Sequence, residues 1–171
     1  MKRNFKEHAV KLAVVSALVA GFAVNSYAAQ NTGTFAVTAD VAASCTVSGT
    51  ALGFGSFDVL SGANVDATST ITATCTTGSA YTIGLNGGTT ATGTVAARKM
   101  VHTNTVNLLN YTLSKVAAGG ANWTDVGGAS VGSGTGNGVG QNLTVFGRIP
   151  TGQTTPIVGA YSDLITATID F

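Results

Sequence analysis

Apolar and polar residues take turns one for one along much of this chain, and that two-residue period restricts it to β-strands. Phe35, Val37, Ala39 and Val41 alternate with Ala36, Thr38 and Asp40. Ile71, Ala73 and Cys75 fall on one face of a second segment, with Thr70, Thr72 and Thr74 on the other. Tyr81, Ile83 and Leu85 alternate next, before the hairpin-type turn Asn86-Gly87-Gly88. Further strands are expected over 44–48, 52–57, 98–103, 109–115 and 141–149. A last one is expected over 161–171, where Tyr161, Ile165, Ala167, Ile169 and Phe171 share a parity. Past the leader no segment carries an apolar stripe at helical spacing, and the abundant β-branched Thr and Val favour strands. Short strands separated by turn signals predict an all-β sandwich or barrel, folded as one domain without internal repeats.

Residues 1–28 read as a secretory leader to be cleaved. Lys2, Arg3, Lys6 and Lys11 make a positive start, Leu12 to Val24 is apolar, and Ser26-Tyr27-Ala28 offers small residues at −3 and −1, placing cleavage after Ala28. A membrane anchor is the alternative, but a spanning helix needs about 20 apolar residues, and Asn25 and Ser26 end the run sooner. After the leader four cations (Arg98, Lys99, Lys115, Arg148) face six aspartates, a formal charge of −2.

Charged residues make up only 9% of the chain, against roughly 25% in an ordinary soluble domain. Nucleic-acid binding needs clustered Lys and Arg, so it is excluded as a function class. Export places Cys45 and Cys75, the only cysteines, in an oxidising compartment where a pair bridges. Closing a loop of about 30 residues stabilises a fold by on the order of 3–4 kcal/mol. A redox role is the competing reading; it lacks a Cys-x-x-Cys spacing, and His102, the one histidine past the leader, has no evident triad partners.

Little else could carry chemistry. The aspartates are scattered and no Glu follows Glu7, whereas acid–base catalysis wants paired carboxylates or a partnered histidine. No enzyme activity, metal or cofactor is expected. The stretch Gly127 to Gly140 does not satisfy G-x-G-x-x-G and is expected to be a surface loop. Asn110-Tyr-Thr112, Asn122-Trp-Thr124 and Asn142-Leu-Thr144 match the glycosylation sequon, as chance often produces in a Thr-rich chain. Trp123, the single tryptophan, is expected to be a half-buried loop aromatic, with stacking on a sugar or a surface as the alternative. The ends are more informative. Both carry alternating segments that must bury an apolar parity, either within their own sandwich or against another chain.

Taken in order, Cys45-Thr-Val, Leu52-Gly-Phe-Gly, Ser69-Thr-Ile-Thr-Ala-Thr-Cys75-Thr and Tyr81-Thr-Ile-Gly-Leu-Asn86 form a pattern. It continues through Arg98-Lys-Met100, Leu109-Asn-Tyr-Thr-Leu113 and Leu143-Thr-Val-Phe-Gly-Arg-Ile-Pro150 to Gly159-Ala-Tyr-Ser-Asp-Leu-Ile-Thr-Ala-Thr-Ile-Asp-Phe171. This resembles the spore coat protein U domain family, which includes the major subunits of archaic chaperone–usher pili of the Csu type. The resemblance implies an incomplete immunoglobulin-like β-sandwich completed by donor-strand complementation. Residues 29–43 would be the donor-strand extension, with Phe35, Val37, Ala39 and Val41 as donor side chains, and 44–171 the pilin domain. Ile165, Ala167, Ile169 and Phe171 would lie on the groove strand that meets the chaperone. The partners implied are a periplasmic chaperone, an outer-membrane usher and copies of itself or related pilins, joined head to tail into a filament. Localisation would be extracellular, in a cell-surface fimbria exported through the periplasm, serving adhesion or biofilm formation. The rival roles are a spore or cell-surface coat protein and a tip adhesin that binds a surface or glycan. A secreted hydrolase is disfavoured for want of a nucleophile–base set.

Overall fold

The computed structural model describes residues 27–171. The chain divides into two units, Met1–Ala39 and Asp40–Phe171. Of the first, residues 27–39 are exposed and adopt neither helix nor strand; the leader expected over 1–28 lies, apart from Tyr27 and Ala28, outside the described residues.

Nine strands make up the second unit: β1 (Cys45–Gly49), β2 (Val65–Cys75), β3 (Ala80–Leu85), β4 (Arg98–His102), β5 (Leu108–Ser114), β6 (Gly132–Thr135), β7 (Gln141–Ile149), β8 (Tyr161–Ser162) and β9 (Ala167–Asp170). They form two antiparallel sheets, one ordered β1-β2-β7-β5-β4-β8 and the other β6-β3-β9. The core lies between them, and parity decides who enters it. Ile71, Ala73 and Cys75 from β2 meet Tyr81, Ile83 and Leu85 from β3. Leu109, Tyr111 and Leu113 from β5 and Val145 and Ile149 from β7 complete it. The architecture is the all-β sandwich that the alternation predicts.

Cys45 stands opposite Cys75 in the β1–β2 register, and the two are joined by a disulfide. The bond therefore fastens an edge strand to its neighbour.

Four expectations need correction. The glycine-rich stretch is more than a loop: it contains β6, paired with β3. Its glycines at 132, 134 and 136 let the strand press close, since a Cβ at Gly132 would lie 2.7 Å from Trp123 Cζ2 and one at Gly134 2.5 Å from the Tyr81 hydroxyl. Trp123 is wholly buried rather than half-buried, and its indole Nε1 donates to the carbonyl of Ile83 at 2.7 Å. The final strand is broken in two. β8 pairs with β4 in the first sheet and β9 with β3 in the second, so residues 163–166 carry the chain across between the layers. Residues 52–57, also expected as a strand, pair with nothing among the described residues.

Candidate functional site

Each sheet ends on an edge strand, and two of these edges approach each other across the layers. β1 closes one side of the first sheet and β9 one side of the second. Between the chain that leaves β1 and the crossover that leads into β9 runs a groove of about 580 Å³. Its floor is core: Ile71, Leu85, Tyr111, Leu113 and Val145. These side chains are no more than 5% exposed, so the groove opens directly onto the apolar interior.

One lip is β1 with the chain that follows it. Thr50 N donates to Thr70 O at 2.9 Å, and beyond it the chain leaves β2. Leu52 and Phe54 then turn inward, against the position where Gly147 of β7 has no side chain. Residues 51–57 leave their backbone groups without hydrogen-bond partners among the described residues. Such a bare, alternating segment can pair with an added strand.

The other lip is the crossover from β8 to β9, and Ser162, Asp163, Leu164, Ile165 and Ala167 line the groove. Asp163 Oδ1 accepts from Thr89 N (2.8 Å), Thr89 Oγ1 (3.1 Å) and Leu164 N (2.9 Å). Its Oδ2 accepts from the Tyr111 hydroxyl at 2.6 Å. Thr166 N donates to Asn86 Oδ1, and Asn86 N to Thr166 O. Burial, and then the bond to Asp163, push the Tyr111 phenol well above its ordinary pKa.

Behind this lip stands Arg98, wholly buried. It donates from Nε to Asn86 O (2.8 Å), from Nη1 to Val95 O (3.2 Å) and from Nη2 to Leu85 O (2.8 Å) and Trp123 O (2.7 Å). Burial lowers its pKa. Nothing in the composition marks Arg98 as buried; the signal is its parity, shared with Met100 and His102, which places it inward.

The residues singled out from sequence fall as follows. Ile165 and Ala167 line the groove. Ile169 packs on the core from β9, whereas Phe171 is 56% exposed and sits by a separate depression with Ala80 and Gly134. Phe35, Val37 and Val41 are 86%, 83% and 85% exposed, and Ala39 is exposed beside them. His102 faces Tyr161 edge-on, ring centres 5.2 Å apart, and its Nδ1 accepts from Asn104 N. Of the sequon asparagines, Asn110 and Asn142 lie within strands, and Asn122 donates to Ala96 O. Among the described residues no three His, Cys, Asp or Glu side chains gather as a metal would require.

The family model for the Spore Coat Protein U domain matches residues 31–168. The chain belongs to that family. Spore Coat Protein U domain proteins are structural rather than enzymatic. Among solved structures the chain is similar to one in the CsuC–CsuE chaperone–tip adhesion subunit pre-assembly complex, from the archaic chaperone–usher Csu pili of Acinetobacter baumannii. The identity is 24% and the TM-score 0.52, covering 77% of this chain and 40% of that one. At that identity the likeness speaks for the fold, and this Spore Coat Protein U domain spans well under half of its neighbour's length. Comparison with curated proteins gives no match.

Proposed function

We propose that this chain is a structural subunit of a cell-surface pilus, assembled by the chaperone–usher pathway through donor-strand exchange. The observation that carries the reading is the groove: an apolar channel onto the core, flanked by the edge strand β9 and the unpaired segment 51–57. Such a channel fits an added strand whose alternate side chains are apolar. The chain carries that pattern itself in Phe35, Val37, Ala39 and Val41, all exposed. Burying a large apolar side chain is worth about 1.5–3 kcal/mol, so Phe35, Val37 and Val41 with a strand's worth of backbone bonds suffice for a tight joint. Donor and groove are different segments of one chain, so a contact between copies repeats as a filament.

On this reading residues 1–28 are removed on export and 29–43 are the donor extension. A periplasmic chaperone occupies the groove first, along Ile165 and Ala167, until the usher exchanges it for the next subunit's extension. The fibre serves adhesion or biofilm formation at the cell surface. The solved neighbour's chaperone–subunit complex supports the chaperone step.

Deleting residues 29–41 tests the reading. The shortened subunit is expected to bind chaperone and to accept a donor, yet never to donate, so fibres stop at it. Fibres of normal length under the electron microscope would contradict the assignment. The family description favours one further reading, a coat layer built with the same joint; sheets in place of thin fibres would support it.

A further inference from the structure

Tyr111 touches both lips of the groove from its floor. Its ring meets Phe54 of the first lip edge-on, centroids 6.2 Å apart at 64°. Its hydroxyl donates to Asp163 of the second lip at 2.6 Å. Ile71, Leu85, Leu113 and Val145 have no polar end to reach a lip, and the buried Ser69, which also lines the groove, reaches only the first lip, donating to Thr50 O. Asp163 in turn anchors the crossover through Thr89 and Leu164. Gly88, at φ 91°, makes room for this, because a Cβ there would run into the Asp163 carboxylate.

We infer that Tyr111 is a positioning residue for donor capture: through Phe54 and Asp163 it holds the empty groove at the width an incoming strand requires. The inference rests on the donor-strand reading above. The crossover 163–166 lies outside both strands, and its Asp163 corner is tied to the floor by this one hydroxyl. A filled groove has another tie, the backbone of the inserted strand. The Tyr111–Asp163 bond therefore acts on capture and is redundant afterwards. A binding site populated for only part of the time captures its ligand in proportion to that fraction. Loss of one charge-assisted hydrogen bond lowers the fraction by about tenfold.

The test is peptide capture by the full chain. A fluorescent synthetic peptide of residues 29–43 is added in excess, and its association is followed by anisotropy; dissociation is read after a chase with unlabelled peptide. Tyr111→Phe keeps the ring and its contact with Phe54 while removing the hydroxyl. It is expected to slow association about tenfold and leave dissociation within about twofold of the unaltered chain. Asp163→Ala is expected to slow association at least as much, and Tyr111→Phe added to it to slow association no further. Equal association rates for the unaltered chain and Tyr111→Phe overturn the inference alone. So does a matched change in association and dissociation, the mark of a merely structural bond. If the unaltered chain captures no peptide, the proposed function falls and the inference with it.

Discussion

The buried guanidinium of Arg98 offers a demanding test of how the sandwich is held together. Four carbonyl oxygens, from Leu85, Asn86, Val95 and Trp123, take hydrogen bonds from its three nitrogens. In Arg98→Lys the charge stays buried but all donors collapse onto one atom, which cannot span acceptors that the planar fork reaches separately. At least two of the four carbonyls lose their donor. Hydrogen bonds to a charged group are worth about 1.5–3 kcal/mol each, so the expected loss is about 3–6 kcal/mol. Nothing offsets it, because the desolvated charge remains. That is a large share of the roughly 5–15 kcal/mol that holds a domain folded. The assay is urea unfolding of the oxidised full chain followed by the emission of Trp123, the only tryptophan, whose own carbonyl belongs to the network. The midpoint should fall with an unchanged slope, and the folded emission should shift to the red. A midpoint change equivalent to less than about 1 kcal/mol would refute the claim that the fork, rather than the apolar packing around it, secures this end of the core.

Gly132→Ala places a methyl 2.7 Å from Trp123 Cζ2 and 2.8 Å from Leu143 Cδ2; calorimetry should show a loss of about 1–3 kcal/mol from overpacking. Replacing both Cys45 and Cys75 by serine opens a loop with a sequence separation of 30 and should cost about 3–4 kcal/mol. A melting point equal to that of the oxidised protein would speak against any stabilising role. Arg148 holds the Asp66 carboxyl below its ordinary pKa, chiefly by hydrogen bonding. The stabilisation from that exposed bridge is complete above the ordinary carboxylate value and disappears as the pH falls through the lowered pKa of the folded state. The melting-point gap between the unaltered protein and Asp66→Asn should therefore be small and should close below about pH 4; a gap that persists at strongly acid pH would mean the bridge is not its source.

Strands buried on one face announced themselves in the sequence. In β2 and β3 the apolar parity of Ile71, Ala73 and Cys75, and of Tyr81, Ile83 and Leu85, is the parity that enters the core. β6 was hidden because glycine has no hydropathy to alternate; its signal is the spacing of glycines opposite the bulky Tyr81 and Trp123. The break between β8 and β9 was hidden because the apolar parity runs straight through it. What divides that segment is a set of long-range bonds, from Asp163 to Thr89 and Tyr111 and from Thr166 to Asn86. Residues 52–57 show the limit of periodicity: alternation marks a segment able to pair without saying what lies beside it. The groove was legible only along one lip, at Ile165 and Ala167. Its floor reads as ordinary core, since Tyr111, Leu113 and Val145 become a floor only where the chain leaving β1 and the crossover 163–166 leave them uncovered.

The Cys45–Cys75 bond sits at a telling place along the chain. A pull on residues 29–44 enters the sandwich at Cys45, the first residue of β1. There the sulfur link passes the load at once to the end of the eleven-residue β2, which is zipped to β7 over nine residue pairs. Tension is thus shared as shear along the longest ladder among the described residues, and an outer strand that would otherwise peel away rung by rung is spared.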